Sequence, residues 1–408
     1  MNCRICNETG MFRVIDLGLQ PPSNEFFDST SPVSKKEKFP LVAWVCVQCA
    51  FMQIEDHLEA TELFHENYSY LSSFSSTFVR HAHNQFDVLH KRFFDEKKIK
   101  FFEIASNDGY LLDHVIRKGH DAIGIEPTKL AAGISQAKGH TVIEKFIDET
   151  TGEDIGRRWG RADLVIGNNV LAHTPDIISF LLGARSLLTD NGIIVFENPH
   201  LLNLIQKTQF DTIYHEHFSY LSVISVSKAF KKAGLKLIDV KSSQIHGGSI
   251  QYIGVPIGSH LKIEQSIHEF SRLEARNGLK DQNTYQRFAN EVLDLKRQAT
   301  DWLNSVDKNT LICGYGAAAK ATVFLNLMQV NSQNIKFIVD KNPEKQNKKM
   351  PGTDIPIQPI EHLVSMKPEF IIIFVWNLRE EILLELRKVV SWKCTAVFFL
   401  PKLQLEII

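Results

Sequence analysis

No uninterrupted apolar run in this 408-residue chain exceeds Phe370–Trp376. A helix needs about 20 apolar residues to cross a bilayer, so no membrane-spanning helix is expected. The first residues, MNCRICNETG, lack the apolar stretch of a secretory leader. An excess of one charge is also missing: 46 lysines and arginines face 47 aspartates and glutamates, for a formal net charge of −1. That balance gives no sign of a nucleic-acid surface. Cysteine is scarce, six in all, at spacings unlike a secreted disulfide framework. The expectation is a cytoplasmic protein without membrane or nucleic-acid partners. The oligomeric state is left open, and a monomer is compatible with everything read here. The 44% hydrophobic content over this length can bury two or three cores.

Four of the six cysteines fall in two pairs, Cys3 and Cys6, then Cys46 and Cys49, each with C-x2-C spacing. Each pair can place two thiolates on one ion, and the two together predict a tetrahedral four-thiolate zinc site. Four thiolates leave no open position for water, so the zinc is structural. The alternative is two pairs of buried free thiols. Cys313 and Cys394 stand alone in apolar strands and read as core.

Glycine is scarce where a phosphate-binding loop would need it. The stretch from Lys98 to Pro127 reads as strand, turn, helix and strand, with Leu111, Leu112, Val115 and Ile116 at helical spacing. Its turn offers Ala105, Ser106, Asn107 and Asp108 with the single glycine Gly109. Pyrophosphate loops carry several glycines, so a nucleoside without phosphates suits this turn better, S-adenosylmethionine among them. Glu126 closes the second strand, where a carboxylate accepts both ribose hydroxyls. Phe146 reads as adenine contact or as core.

Strands at Thr141–Glu144, Ala162–Val170 and Gly192–Pro199 alternate with helical stretches, which predicts a doubly wound parallel sheet. Ligands then sit at the carboxyl ends of the strands, where Asn168, Asn169 and His173 cluster at one end and Glu197, Asn198 and His200 at another. Residues 64–78, rich in Tyr, Ser and Phe, read as a loop crossing a site. Apolar positions such as Phe270, Leu273, Leu279, Phe288, Val292 and Leu295 predict a pair of packed helices between about Ile257 and Val306. A second strand-turn-helix unit then carries G-x-G-x-x-A at Gly314, Gly316 and Ala319, followed by Asp340 where a ribose-binding acid would stand. That turn reads either as a dinucleotide site or as close strand-helix packing. Lys320 adds a positive charge at a helix start that already favours anions.

The densest chemical run is FDTIYHEHFSYLS, Phe210–Ser222, with Tyr214, His215, Glu216 and His217 in succession. A histidine can remove a proton near neutral pH, a tyrosine can donate to an oxyanion, and a glutamate can fix an imidazole tautomer. A buried aromatic core segment is the plainer reading of the same run.

With these residues in view, the chain resembles the three-domain sugar C-methyltransferases that act on nucleotide-linked ketosugars. The resemblance rests on the paired cysteine knuckles, NYSYLSS, EIASNDG, GIEP, NNVLAHTPD, IYHEHFSYLS, HGGS, GYGAAAK and FVWN, in that order. Ala105 departs from the glycine usual at its position in that turn. The resemblance implies an α/β chain of three parts: a zinc-binding domain with a substrate-capping segment at 1–75, a Rossmann-like class I methyltransferase domain binding S-adenosylmethionine at 76–245, and a second Rossmann-like, sugar-nucleotide-binding domain at 246–408. It implies His217 as base, with Tyr214 stabilising the enolate oxygen, Glu216 orienting the pair, His173 and Asn169 near the sugar and Tyr68 capping it. Glu103, Asn107, Asp108, Gly109 and Glu126 would hold the donor. His246, Gly247, Gly248 and Ser249 would border the substrate, and Lys320 its diphosphate, with Lys341, Lys345, Lys348 and Lys349 as further candidates in what otherwise reads as a solvated loop. The implied reaction methylates the carbon beside a ketone, C3 of a 4-keto-deoxyhexose being the commoner case. An oxidoreductase using the later glycine turn and a zinc-containing nucleic-acid methyltransferase are the competing readings.

Overall fold

In the computed structural model, which describes residues 1–28, 37–65, 68 and 70–408, alternate side chains of the apolar strands face opposite ways. Phe101 packs with Leu164, Ile166, Ile193 and Val195 on one face, and Phe102 with Val165, Ile194 and Phe196 on the other. Both faces are covered, which is why these strands read as nearly continuous hydrophobic runs. Phe101 and Phe102 are fully buried, and each side chain of that size contributes about 1.5–3 kcal/mol by leaving water.

The chain divides into two units. The first comprises Met1–Phe12, Trp44–Leu202 and His217–Gln282; the second comprises Arg13–Ala43, Asn203–Glu216 and Asn283–Ile408. The first holds a seven-stranded sheet: Lys100–Ile104 (β1), Asp121–Ile125 (β2), Thr141–Ile143 (β3), Ala162–Asn168 (β4), Leu188–Pro199 (β5), Leu235–Ser243 (β6) and Ser249–Pro256 (β7). Their order is β3-β2-β1-β4-β5-β7-β6. β1 to β5 run parallel, and β7 is antiparallel to both its neighbours. The order reverses between β1 and β4, the switch point at which doubly wound sheets bind ligands.

Helix Ser76–Phe94 covers one face, starting where the Ser75 hydroxyl accepts the Phe78 N–H at 3.3 Å and burying Phe78, Ala82, Phe86 and Leu89 along one stripe. Before it, a single turn stands at Ser72–Phe74, and the last three residues of the segment 64–78 already belong to the helix. Positions 66, 67 and 69 of that segment lie outside the described residues.

Two strand-end groups expected to serve a ligand instead fasten the fold. Glu197 accepts hydrogen bonds from His81 at 2.8 Å, Gln251 at 2.8 Å, Gln85 at 3.1 Å and the Ser243 hydroxyl. These donors hold its carboxyl below the usual range against the opposing push of burial. His200 bonds Glu274 at 2.8 Å, and Glu274 also accepts the N–H groups of Val223 at 2.6 Å and Ile224 at 3.0 Å, capping helix Val223–Lys232.

The second unit carries a six-stranded sheet in the order Ile357–Gln358, Ile338–Val339, Ile312–Tyr315, Phe370–Ile373, Thr395–Phe398, Gln404–Ile407. Five strands are parallel, and the last is antiparallel. Numbered along the chain this is 3-2-1-4-5-6, a Rossmann order. The two helices expected between Ile257 and Val306 are Gln265–Arg276 and Gln282–Ser305. They fall on opposite sides of the division between units, and Leu273, expected in their core, is exposed.

Glu274→Ala leaves His200 and the amide groups of Val223 and Ile224 without their acceptor. We expect a loss of about 3 kcal/mol, read as a lower denaturant midpoint, with β-sheet circular dichroism retained under native conditions.

Candidate active site

The carboxyl ends of β1, β2 and β4 open onto a cavity of about 250 Å³ in the first unit, lined among others by Tyr68, Asn107, Glu126, Phe146, Asn169 and His173. The turn after β1 is strained at its first residue. Ala105 takes a left-handed φ of +57° and Asn107 one of +48°, which explains why a glycine suits the position of Ala105. Gly109, at φ +79°, lies where a Cβ would stand 2.4 Å from the Ser135 hydroxyl and 2.5 Å from His140 Nδ1. Ser135 and His140 are 3.0 Å apart and His140 bonds Asp113 at 3.0 Å. This has the order of a nucleophile triad, but Ser135 is fully buried and the three side chains brace the turn.

Glu126 accepts the Asn107 N–H at 2.9 Å, the Thr128 N–H at 2.9 Å and the Thr128 hydroxyl at 2.5 Å. Its carboxylate is thereby aimed from the end of β2, with lone pairs remaining for ribose hydroxyls. The Asn107 amide is itself engaged. It accepts the Ser72 N–H at 2.8 Å and donates to the Tyr70 carbonyl at 3.1 Å, tying that segment to the turn.

Glu103, Asp108 and Glu126 are 0%, 1% and 3% exposed. Burial pushes the Glu103 carboxyl well up, Asp108 and Glu126 add to the push, and Tyr110 opposes it. Burial raises Glu126 as well, against the hydrogen bonds of Thr128 and Asn107. Among the described residues, the Asp108 Oδ1, both polar atoms of the Asn168 side chain and the Asn169 Oδ1 lack hydrogen-bond partners. Acids packed this closely repel a pyrophosphate and favour a cation. S-adenosylmethionine, with its sulfonium and ammonium, fits that donor set.

The structure brings several expected residues together in this unit. His173 lines the cavity, its ring centroid 4.6 Å from that of buried His217. Asn169, itself at φ +53°, sets its Nδ2 3.5 Å from His173 Nε2. Phe64 stands edge-on to His173 at 5.4 Å and to Tyr68 at 5.2 Å. His246 also lines the cavity and begins a run of three left-handed residues with Gly247 and Gly248. Ser249 is buried and donates to the Ile245 carbonyl at 3.0 Å. Glu103, Asp108 and Gly109 are not part of the cavity wall, and Phe146, which is, remains 38% exposed. Phe64 was missed in the sequence because nothing in its spacing separates it from a core phenylalanine.

Tyr214 and Glu216 belong to the second unit. The Glu216 carboxylate accepts the Asn24 side chain at 2.5 Å and the Asn24 N–H at 3.2 Å, and burial pushes it up to about 7. In that same unit the glycine turn is occupied by its own chain. Asp340 accepts the Ala317 N–H at 2.7 Å and the Asn342 N–H at 2.8 Å, and Lys345 donates to the Ala317 carbonyl at 2.8 Å. A Cβ on Gly316 would stand 2.8 Å from Val375, so the turn packs closely against the end of the neighbouring strand. Lys345, expected in a solvated loop, is 8% exposed. Lys320 is half-buried and donates to Asn377 Oδ1 at 2.7 Å.

The zinc-binding centre lies in the first unit. The ligand atoms of Cys3, Cys6, Cys46 and Cys49 all lie within 4.8 Å of one another, with sulfur pairs at 3.5 and 3.6 Å. A tetrahedron with Zn–S bonds of about 2.3 Å has edges of about 3.8 Å, so the four sulfurs fit the ion. Asn7 and Ala50, each four residues after the first cysteine of its pair, both turn left-handed, at φ +64° and +52°. Burial pushes the Cys46 thiol up to about 11, a cost that a divalent cation offsets by holding the thiolate. The knuckle also reaches His217. Arg4, between Cys3 and Cys6, donates to the carbonyls of Phe218 and Ile54, each at 2.8 Å, and strand Phe51–Ile54 pairs with Ser219–Tyr220.

Two outcomes follow from this geometry. Cys46→Ser is expected to lose stoichiometric zinc, measured by mass spectrometry of the metal, and to unfold at a lower temperature. Glu103 has a folded pKa above its unfolded one, so its contribution to stability is full below the unfolded pKa and is lost as pH rises through the folded one. Without donor, the melting temperature should therefore fall as pH rises above the ordinary carboxyl range, and Glu103→Gln should flatten that slope. Parallel slopes in parent and variant would count against the buried-acid account.

Residues 3–64 match a family model described as "putative zinc binding domain", residues 78–240 a methyltransferase domain, and residues 244–401 a C-methyltransferase C-terminal domain. The C-methyltransferase NovU of Streptomyces niveus is 30% identical over 383 residues, 93% of this chain and 91% of the relative. The ubiquinone biosynthesis O-methyltransferase of Rhodopseudomonas palustris (strain HaA2) is 33% identical over 100 residues, 24% of this chain and 38% of the relative. Among solved structures, the magnesium protoporphyrin IX methyltransferase of Synechocystis PCC 6803 with bound S-adenosylmethionine is 14% identical, at a TM-score of 0.36 over 50% of this chain and 99% of that one. The plantazolicin methyltransferase with bound S-adenosylhomocysteine is 11% identical, at a TM-score of 0.38 over 45% and 87%. With a relative at this identity along nearly its whole length and the three domain models in the same order, the chain belongs to the S-adenosylmethionine-dependent C-methyltransferase family that carries an N-terminal zinc-binding domain.

Proposed function

We propose that this enzyme methylates the carbon beside the ketone of a nucleotide-linked 4-keto-deoxyhexose, at C3. The observation that carries the reading is the His173–His217 pair beside a cavity lined by the buried acid Glu126. A carbon beside a carbonyl is acidic because its enolate spreads charge onto oxygen. His217 is the proposed base: it takes the proton, the enolate carbon attacks the sulfonium methyl, the C–S bond breaks, and S-adenosylhomocysteine leaves with the electron pair. His173 and Asn169 would hold the sugar, with Tyr68 as its cap and His246 to Ser249 as its border. Tyr214, three residues before His217, would stabilise the enolate oxygen, and Glu216 would orient the pair. Glu103, Asn107, Asp108, Gly109 and Glu126 would form the donor site, Glu103 and Asp108 through charge and Asn107 and Gly109 through the shape of the turn.

Functionally this divides the chain into a zinc-binding and capping part at 1–75, a donor-binding part at 76–245 and a substrate-binding part at 246–408. No observation favours an oxidoreductase: the backbone and acid of the later glycine turn are already bonded to their own chain. The near-zero net charge gives no support to a nucleic-acid substrate.

The test is incubation with S-adenosylmethionine and a nucleotide-linked 4-ketohexose, followed by mass spectrometry for one added methyl on the sugar carbon. In His217→Asn we expect unchanged zinc and unchanged affinity for S-adenosylhomocysteine, with turnover lower by about 10²- to 10⁴-fold. Full turnover in that variant would place the base elsewhere.

A further inference from the structure

The sequence offers Lys320 as a diphosphate ligand, but its surroundings suit a different task. Its ammonium donates to Asn377 Oδ1 at 2.7 Å and lies 4.2 Å from the centre of the Trp376 ring. The Trp376 indole N–H donates to Asp211 Oδ2 at 2.7 Å. Asp211 is 2% exposed and sits in the single turn Phe210–Thr212, three residues ahead of Tyr214. Burial pushes Asp211 up to about 6, against the pull of Lys320 and Trp376, and pushes Lys320 down to about 8, against the pull of Asp211. The opposite charges of the two groups favour one another.

We propose that Asp211, Lys320, Trp376 and Asn377 form a positioning network for Tyr214, so that the C-terminal glycine turn holds part of the catalytic run instead of a ligand. The inference rests on the reading of Tyr214 as the group that stabilises the enolate oxygen. Three further observations support it. Phe210 is fully buried and packs against Phe324 of helix Ala319–Met328, the helix that begins at the glycine turn, with ring centroids 6.4 Å apart. At the far side of Tyr214, the Glu216 carboxylate is held by Asn24, so Tyr214 lies on a short stretch of chain fixed by a buried acid at each end. A diphosphate approaching Lys320 would meet the charge of Asp211, and an ammonium already bonded to Asn377 and lying against Trp376 gains less from a further partner.

The test compares the parent with Asp211→Asn, Lys320→Met and Trp376→Phe, in the full-length zinc-loaded protein. Asp211→Asn keeps an acceptor for Trp376 and removes only the charge. Trp376→Phe keeps a ring beneath Lys320 and removes only the donor, which makes it the mildest variant if the others fold poorly. Each protein is assayed for kcat and KM with the nucleotide-linked 4-ketosugar and titrated calorimetrically with thymidine diphosphate and S-adenosylhomocysteine. Hydrogen exchange of the segment Phe210–Glu216 is followed in parallel.

We expect kcat to fall at least about tenfold in Asp211→Asn and Lys320→Met, since misplacement of a catalytic group by about 1 Å can cost 10²-fold. KM and both affinities should stay within about twofold, far short of the tenfold that 1.4 kcal/mol of lost binding would give. Exchange of the Phe210–Glu216 amides should quicken in all three variants. A ligand role for Lys320 predicts the opposite pattern: tighter thymidine diphosphate binding in Asp211→Asn, weaker binding in Lys320→Met, and unchanged exchange. That pattern, or parental kcat with parental exchange, overturns the proposal. If the parent itself methylates no 4-ketosugar, the functional reading fails instead, and the exchange measurement still decides whether the network holds the segment.

Discussion

Three acids with almost no contact with water, Glu103, Asp108 and Glu126, surround the turn that follows β1. Burying acids this close together is unfavourable unless protons or a cation neutralise them. A methyl donor with a sulfonium centre supplies that charge, whereas a dinucleotide adds to the repulsion. The shape of the same turn is set by the left-handed Ala105 and by Gly109. The Asn107 amide carries the effect outward by fastening Tyr70 and Ser72.

The run Phe210–Ser222 depends on a different kind of constraint. Residues from His217 onward are anchored in the first unit, where Arg4 of the zinc knuckle grips the Phe218 carbonyl and Ser222 donates to the Ala50 carbonyl at 2.8 Å. The metal thus does more than close a small domain, because its loop sets the backbone that carries His217. Residues up to Glu216 are anchored in the second unit. A carboxylate or guanidinium inside a protein is costly unless every partner is in place, so such groups fix the backbone more sharply than apolar contacts do.

Much of this was legible from sequence because it depends on local spacing. The C-x2-C pairs announce the thiolate site, and the apolar runs announce two doubly wound sheets. A turn with one glycine already argues against a phosphate ligand. Legibility failed where a polar side chain could have several partners. Glu197 and His200 stand at strand ends, as ligand-binding groups do, yet their partners are His81, Gln85, Gln251 and Glu274, from distant parts of the chain. Lys345 reads as one of a solvated lysine run, but its ammonium bonds the Ala317 carbonyl. FVWN stood out as a motif without a chemistry until Trp376 was found against Asp211.

The sequence by itself determined the element order, the four-sulfur centre and the stock of groups available for catalysis, because periodicity and short spacings act over a few residues. Only the tertiary structure decided which of those groups meet. It set His173 beside His217, filled the later glycine turn with Asp340 and Lys345, and divided the run Phe210–Ser222 between two units. The physical reason is that a buried charge or amide takes whichever complementary group the folded chain brings near it, and that choice is made across the whole chain.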